Sequence, residues 1–243
     1  MTSELSIRDL HKSFDGRPVL SGVDLDVHAG EFVALLGANG SGKSTALRCV
    51  VGLQTADSGT ITLGGQDING PHQRAAMVFQ QIHLVRRRSA LDNVCAGALG
   101  RLPLIRSFTP AVFPREVREE AMECLDRVGL ADRAAEPAGR LSGGQQQRVA
   151  IARALCQRAR VVLADEPVSA LDPSAADQVV ALLADLAHEG LAVAAVLHQP
   201  ELARKYAKRI VGLLDGKVAM NASPMDLTES DVDALYAPER ATA

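Results

Sequence analysis

Eight consecutive residues, Gly37-Ala38-Asn39-Gly40-Ser41-Gly42-Lys43-Ser44, have the make-up of a loop that wraps phosphate. They fit the spacing GxxxxGK[ST], with the apolar run FVALL before them and a helical pattern after them. Glycines let backbone N–H groups turn inward around an anion. Lys43 can reach terminal phosphates, and the Ser44 hydroxyl can ligate Mg²⁺ at the start of a helix. Gly37, Ala38, Asn39, Gly40, Ser41, Gly42, Lys43, Ser44 and the following Thr45 are the candidate phosphate-contacting residues.

Such a loop needs a carboxylate to hold its metal, and the apolar run Val161-Val162-Leu163-Ala164 ends in Asp165. Asp165 is the candidate magnesium partner. Glu166 follows directly and is placed to accept a proton from, or to orient, water attacking a γ-phosphate. An apolar run ending in Asp-Glu is by itself usually just a strand end, and its pairing with the loop makes hydrolysis the expected chemistry. A third group, Leu141-Ser142-Gly143-Gly144-Gln145-Gln146-Gln147-Arg148, opens a helix that continues through VAIARAL. Ser142 and two glycines at a helix start offer free N–H groups and a positive dipole end to an anion. A capping serine accounts for Ser142 but not for two helix-weakening glycines beside it.

Positioning these groups takes an α/β framework. The first 35 residues alternate the β-like runs LSIRDL, PVLSGVDLDV and EFVALL with turns at Asp15-Gly16 and Ala29-Gly30, as hairpins do. The spacing predicts a helix over Lys43–Leu53, a hairpin in SGTITLGGQDI and a short buried strand in AAMVFQ. Helical patterns then run over Ala90–Leu99, Arg115–Val128 and Gly143–Gln157. After them come a strand in VVLADEP, a helix over Ser174–His188, a strand in AVAAVLHQ, a helix over Glu201–Arg209, the hairpin IVGLLDGKVAM and an amphipathic helix in MDLTESDVDALYA. Strand, helix, strand implies a parallel sheet. The expected organisation is a single domain over 1–243, with an α/β core and β lobe in 1–85 and 158–243 and a helical subdomain in 86–157.

Composition narrows the class. Of 243 residues, 47% are hydrophobic and 23% charged, the balance of a globular protein. Apolar runs such as Leu191–Leu197 fall far short of the roughly 20 residues a membrane span needs. The opening MTSELSIRDLHK has no apolar signal core, so the expected compartment is the cytoplasm. A net charge of −3 lacks the basic excess that a nucleic-acid backbone would demand, and no nucleic-acid partner is expected. Cys49, Cys95, Cys124 and Cys156 form no CxxC pair and lie in apolar surroundings, which reads as buried free thiols.

The LSGGQ run in this setting resembles the signature of the ABC transporter ATPase family, and the resemblance spans essentially the whole chain. It implies a P-loop NTPase fold with a RecA-like parallel core, an antiparallel β lobe and an inserted helical subdomain. It implies ATP and Mg²⁺ as cofactors, with Ser44, Gln80 and Asp165 at the metal. It also implies that Ser142, Gly143, Gly144 and Gln145 cap the γ-phosphate of ATP held on a partner's P-loop. Phe14 resembles the aromatic that stacks on adenine, although a lone Phe near a strand end is as often core. Gln80 resembles the glutamine that senses metal and attacking water, with Gln81 the neighbouring register, and His198 resembles the histidine that contacts the γ-phosphate. Lys43, Gln80, Glu166 and His198 are thus the expected catalytic set. Ser169-Ala170-Leu171-Asp172 resembles the loop joining two ATPase subunits.

The implied partners are a second ATPase subunit, a transmembrane permease and, indirectly, a substrate-binding protein, at the cytoplasmic face of the inner membrane. Two intact half-sites in one chain make a homodimer the simpler arrangement. Within the family, MVFQQIHLV, DNVCAGALG, LADEPVSALDP, the Leu-His-Gln around His198 and the extra segment RLPLIRSFTPAVFPREV most resemble ATPase subunits of phosphonate importers. Phosphate, phosphite, amino-acid or lipid cargo is the competing reading within transport. A non-transport ABC ATPase acting on ribosomes or DNA is the reading outside it, but such proteins usually carry two fused cassettes or a long coiled-coil insertion, and this sequence shows one cassette and neither. The chain departs from the subfamily at Arg86-Arg87-Arg88-Ser89, where a proline and an apolar residue usually precede the serine. That departure bears on which permease it docks, against the alternatives of a solvated basic turn or one facing lipid headgroups.

Overall fold

The computed structural model describes residues 3–102 and 113–240. The segment RLPLIRSFTPAVFPREV falls largely outside them.

The chain opens with a hairpin, β1 (Ser3–Phe14) against β2 (Arg17–His28), turned at Asp15-Gly16 as the sequence predicts. The expected second hairpin does not form. The strand after Ala29-Gly30, β3 (Glu31–Leu36), leaves that sheet, because EFVALL is buried along its whole length and suits the middle of a parallel sheet covered on both faces. Helix α1 (Lys43–Val50) follows. Then β4 (Ser58–Leu63) returns to pair with β1, and β5 (Gln66–Asp67) completes an antiparallel sheet in the order β2-β1-β4-β5.

From β6 (Ala75–Val78) the chain enters α2 (Ala90–Cys95), a 3₁₀ segment (Ala96–Arg101), α3 (Arg115–Arg127) and α4 (Gly143–Cys156). The remainder alternates: β7 (Val161–Asp165), α5 (Pro173–His188), β8 (Ala192–Val196), α6 (Pro200–Tyr206), β9 (Arg209–Leu214), β10 (Lys217–Ala222) and α7 (Glu229–Arg240). The second sheet has the order β10-β9-β3-β8-β7-β6, parallel apart from β10.

Three helices stop well short of the sequence expectation, and the last begins at Glu229 rather than at Met225. α1 stops at Val50 because the amides of Leu53 and Gln54 both turn back to the Arg48 carbonyl. α2 tightens to 3₁₀ after Cys95. α6 stops at Tyr206 because the Lys208 amide bonds to the Phe32 carbonyl, so the sheet captures the chain before Arg209.

Alternation along the strands splits the core in two. Phe32, Ala34 and Leu36 of β3 point to the face covered by α4 and α5, while Val33 and Leu35 point to the face covered by α1 and the antiparallel sheet. Val162 and Ala164 of β7 follow the first set, and Val161 and Leu163 the second. At the seam with the antiparallel sheet, buried Glu31 accepts from Arg209 at 2.7 Å and from the His28 amide at 2.9 Å. Burial alone would raise the Glu31 carboxyl, but these donors outweigh it and hold it below the ordinary glutamate value.

Candidate functional site

In an open parallel sheet the crevice beyond the carboxyl ends of the strands takes ligands. Here four adjacent strands, β3, β8, β7 and β6, deliver the Gly37 loop, His198, Asp165-Glu166 and Gln80 to that edge.

The loop follows β3 without a spacer. Gly37 takes φ +141, and a Cβ there would stand 2.2 Å from the Leu213 carbonyl, so only glycine fits. Lys43 is buried, and its ammonium donates to the carbonyls of Gly37 and Ala38 at 2.8 Å and to Ser41 Oγ at 3.2 Å. No side chain caps α1, which leaves its first amides to the loop. The loop is held from outside by Gly216, whose amide donates to the Ser41 carbonyl at 3.2 Å, and by Leu235, whose carbonyl accepts from the Ala38 amide at 3.2 Å.

Across the loop, Ser44 Oγ donates to Asp165 Oδ1 at 2.5 Å, and Asp165 is buried. A hydroxyl and a carboxylate at this spacing are hard oxygen donors of the kind Mg²⁺ takes alongside substrate phosphates, so the residues fit that ion. Next in the chain, Glu166 holds φ +49, a left-handed conformation uncommon outside glycine. This turn carries its carboxylate to His198, with Nε2 to Oε1 2.8 Å. Val78 pairs with Ala164, so Gln80 leaves β6 in line with Glu166 leaving β7; Gln80 is exposed on the loop that follows.

Ser142 caps α4 in a reciprocal box. Its Oγ accepts from the Gln145 amide at 3.3 Å, and Gln145 Oε1 accepts from the Ser142 amide at 2.9 Å. Ser142 and Gly143 are exposed. Gly144 has a packing reason the sequence did not disclose: a Cβ there would stand 3.0 Å from Ala175 Cβ on α5. This group is joined to the Ser169–Asp172 loop, since a Cβ on Gly143 would meet Leu171 at 3.1 Å. Asp172 caps α5 by accepting from the Ala175 amide at 2.9 Å. Phe14 is 40% exposed, with the Lys12 ammonium 5.2 Å from its ring centroid, so it is not a core residue. It pairs with Arg17 at the head of β2, the strand whose Leu20 abuts Gly42.

Three residues at the site escaped the sequence reading. Arg48 reaches Asp165 Oδ2 at 3.4 Å; its spacing of four from Ser44 on α1 was the available signal. Arg153, a lone charge in the apolar run AIARAL, donates to the carbonyls of His83 at 3.0 Å and Ile82 at 3.2 Å and so ties the loop after Gln80 to α4. Burial pulls Arg153 below the usual arginine value. Tyr236, whose hydroxyl accepts from the Gly37 amide at 3.4 Å, gave no local signal, being 199 residues distant. The four cysteines are buried and unpaired.

The family model described as ABC transporter matches residues 20–169. The hypophosphite import ATP-binding protein HtxD of Stutzerimonas stutzeri is 45% identical over 241 residues, covering 96% of this chain and 70% of that protein. The phosphate-import ATP-binding protein PhnC of Mycolicibacterium smegmatis is 46% identical, over 94% and 90%. The phosphonates import ATP-binding protein PhnC of Halobacterium salinarum is 41% identical, over 96% and 84%. Among solved structures, the dimeric post-hydrolysis ATP-binding cassette MJ0796, bound to ADP and Pi, superposes with TM-score 0.74 at 34% identity, covering 90% of this chain and 98% of that one.

Proposed function

The chain belongs to the ABC transporter family, as an ATP-binding, ATP-hydrolysing subunit, and from that premise we propose that it powers uptake of phosphonates or closely related phosphorus oxyanions. Relatives named for phosphonates, hypophosphite and phosphate import support the cargo class. Two copies act together, each site made of one chain's P-loop and the other's Ser142–Gln145. The dimeric state of the similar cassette with ADP and Pi supports the pairing of two copies.

Lys43 and the loop amides of Gly37–Thr45 bind the phosphates, and Phe14 lies against the base. Ser44, Asp165 and Gln80 would hold Mg²⁺, which would supply positive charge to offset that of the phosphates. Glu166 takes a proton from the attacking water, and His198 fixes the Glu166 carboxylate from 2.8 Å away. The observation that carries the reading is this convergence at one sheet edge, Ser44 on Asp165 at 2.5 Å beside Glu166 on His198.

No helix among the described residues is long and apolar enough to cross a membrane, and relatives named as import ATP-binding proteins support a permease as partner. A cavity of about 450 Å³ between β6 and α4, lined by Met77, Phe79, Gly97, Arg153 and Ala154, is a fitting seat for a permease element. Because Arg153 also grips the loop after Gln80, a partner seated there would feel the nucleotide site. The subunit works at the cytoplasmic face of the membrane, with a binding protein delivering cargo on the other side.

The deciding experiment is ATP hydrolysis by the subunit assembled with its permease and binding protein, challenged with alkylphosphonate, hypophosphite, phosphate and amino acids. Stimulation confined to phosphorus compounds is the expected result. Stimulation by amino acids alone keeps the motor and removes the cargo class.

A further inference from the structure

Three glutamines follow the glycines at the head of α4, and the fold treats them differently. Gln145 closes the cap with Ser142, and Gln146 Nε2 donates to the Leu141 carbonyl at 2.8 Å. Gln147 is 2% exposed, and among the described residues its Nε2 has no hydrogen-bond partner. A buried donor without an acceptor costs stability, so its place in the fold calls for a state in which it is used.

Helix geometry says where that donor lies. At about 100° per residue, Gln147 points about 40° round α4 from Gly143 and about 60° short of Gly144, between the two. A helical side chain also leans back over the residues three and four positions earlier, which here are those same glycines. A Cβ on Gly143 would meet Leu171 at 3.1 Å, and one on Gly144 would meet Ala175 at 3.0 Å. The unpartnered amide is therefore directed at the junction of α4 with the Ser169–Asp172 loop and the head of α5.

That loop has acceptors to offer. Its own donors turn back toward β7, the Ser169 amide and hydroxyl to the Glu166 carbonyl at 3.4 and 3.3 Å and the Leu171 amide to the Val168 carbonyl at 3.2 Å. Among the described residues, the carbonyls of Ser169, Ala170 and Leu171 accept no hydrogen bond from the chain. Ser142, Gly143, Ser169 and Ala170 are all exposed, so a second copy seated on the Ser142 turn bears on this loop as well.

We propose that Gln147 is a positioning residue whose side-chain amide donates to a carbonyl of its own chain's Ser169–Asp172 loop when two copies close on ATP. The bond fixes the Ser142–Gln145 turn to a loop that hangs from the Glu166 carbonyl, so that the turn and the water-activating carboxylate of one chain move together. The inference rests on the paired arrangement proposed above.

Two apolar replacements of similar size, Gln147→Met and Gln147→Leu, remove the donor. A residue with a merely structural role loses stability with its amide; the opposite sign is expected here in the single chain. Without nucleotide, the melting temperature should rise by about 2–4 °C, because the variants no longer bury an unpaired donor. With ATP in the Glu166→Gln background, the dissociation constant of the dimer, from sedimentation velocity, should rise by about tenfold, since each chain of the pair loses a bond. In ¹⁵N-glutamine-labelled protein, the side-chain amide resonance that Gln147→Met lacks should move on ATP-driven pairing. Leu171→Ala loosens the loop on Gly143, and its cost in dimer affinity combined with that of Gln147→Met should be smaller than the sum of the two.

A rise in melting temperature in neither variant, a dimer as tight as with Gln147, or an amide resonance unmoved by ATP overturns the proposal. Additive losses with Leu171→Ala remove the loop as acceptor and overturn it too. If Glu166→Gln with Gln147 intact forms no dimer with ATP, the paired arrangement itself falls, and the inference with it.

Discussion

At the scale of single residues, Glu166 unites an unusual backbone conformation, φ +49, with a hydrogen-bonded partner, His198, at 2.8 Å. The strain is offset only if the surrounding sheet end fixes it, and its effect is to aim one carboxylate. Glu166→Gln preserves the shape and removes the proton acceptor. Phosphate release should fall by about 10²- to 10³-fold while ATP binding persists. Size-exclusion chromatography with ATP should then show an accumulated dimer, and brisk turnover by the variant would remove Glu166 from the role. Thiol chemistry provides a second residue-level outcome. Burial pushes Cys95 up to about 12, and donation from Cys124 to Cys156 raises the former and lowers the latter. With Cys49 also raised by burial, three of the four thiols are short of thiolate. A thiol-reactive disulfide should label the native chain slowly and release the full complement of four only on denaturation.

At the scale of elements, two seams carry the arrangement. The first is α4 against α5, where Gly144 lies under Ala175 with no room for a larger side chain. Gly144→Val forces these helices apart and displaces Ser142. A loss of about 1–3 kcal/mol is expected, read by thermal melting. The second seam joins the antiparallel sheet to β3 through Glu31, Arg209 and the His28 amide. Since Glu31 titrates below its ordinary value of 4.5, its contribution is present at higher pH and is lost as pH falls from that value through its lowered folded one. Glu31→Gln should therefore cost about 1–3 kcal/mol at neutral pH. The gap between wild type and variant should close as pH drops below the ordinary glutamate range. Melting curves across pH check both the size and the sign.

At the scale of the whole molecule, the proposed composite site makes a prediction that no single chain can satisfy. Lys43→Ala removes a P-loop group and Ser142→Arg blocks a signature, so neither variant alone should hydrolyse ATP. In a mixed dimer, one site combines both defects and the other combines two intact halves. An equal mixture should regain at most about a quarter of the wild-type sites, measured as phosphate release. No recovery, with mixed dimers demonstrated, would place each site within one chain.

Much of this was legible beforehand because it is local. The Gly37–Ser44 loop, the strand ending in Asp165-Glu166 and the serine-capped helix at Ser142 each declare themselves by a short run of residue types whose chemistry depends on immediate neighbours. The periodicity of the strands and helices likewise revealed an α/β chain, since burial on one face or two is written in spacing. What the spacing could not disclose was partnership across distance. The departure of β3 from its apparent hairpin, the closeness of Gly144 to Ala175, the grip of Arg153 on the loop after Gln80, and the terminal helix touching Gly37 and Ala38 all depend on which surfaces meet once the chain is closed. By itself the sequence marked out the groups proposed to bind phosphate and activate water. Only the tertiary structure decided which side chains hold those groups in place, because packing and long-range hydrogen bonds arise from the sum of all elements, whereas motifs arise from one.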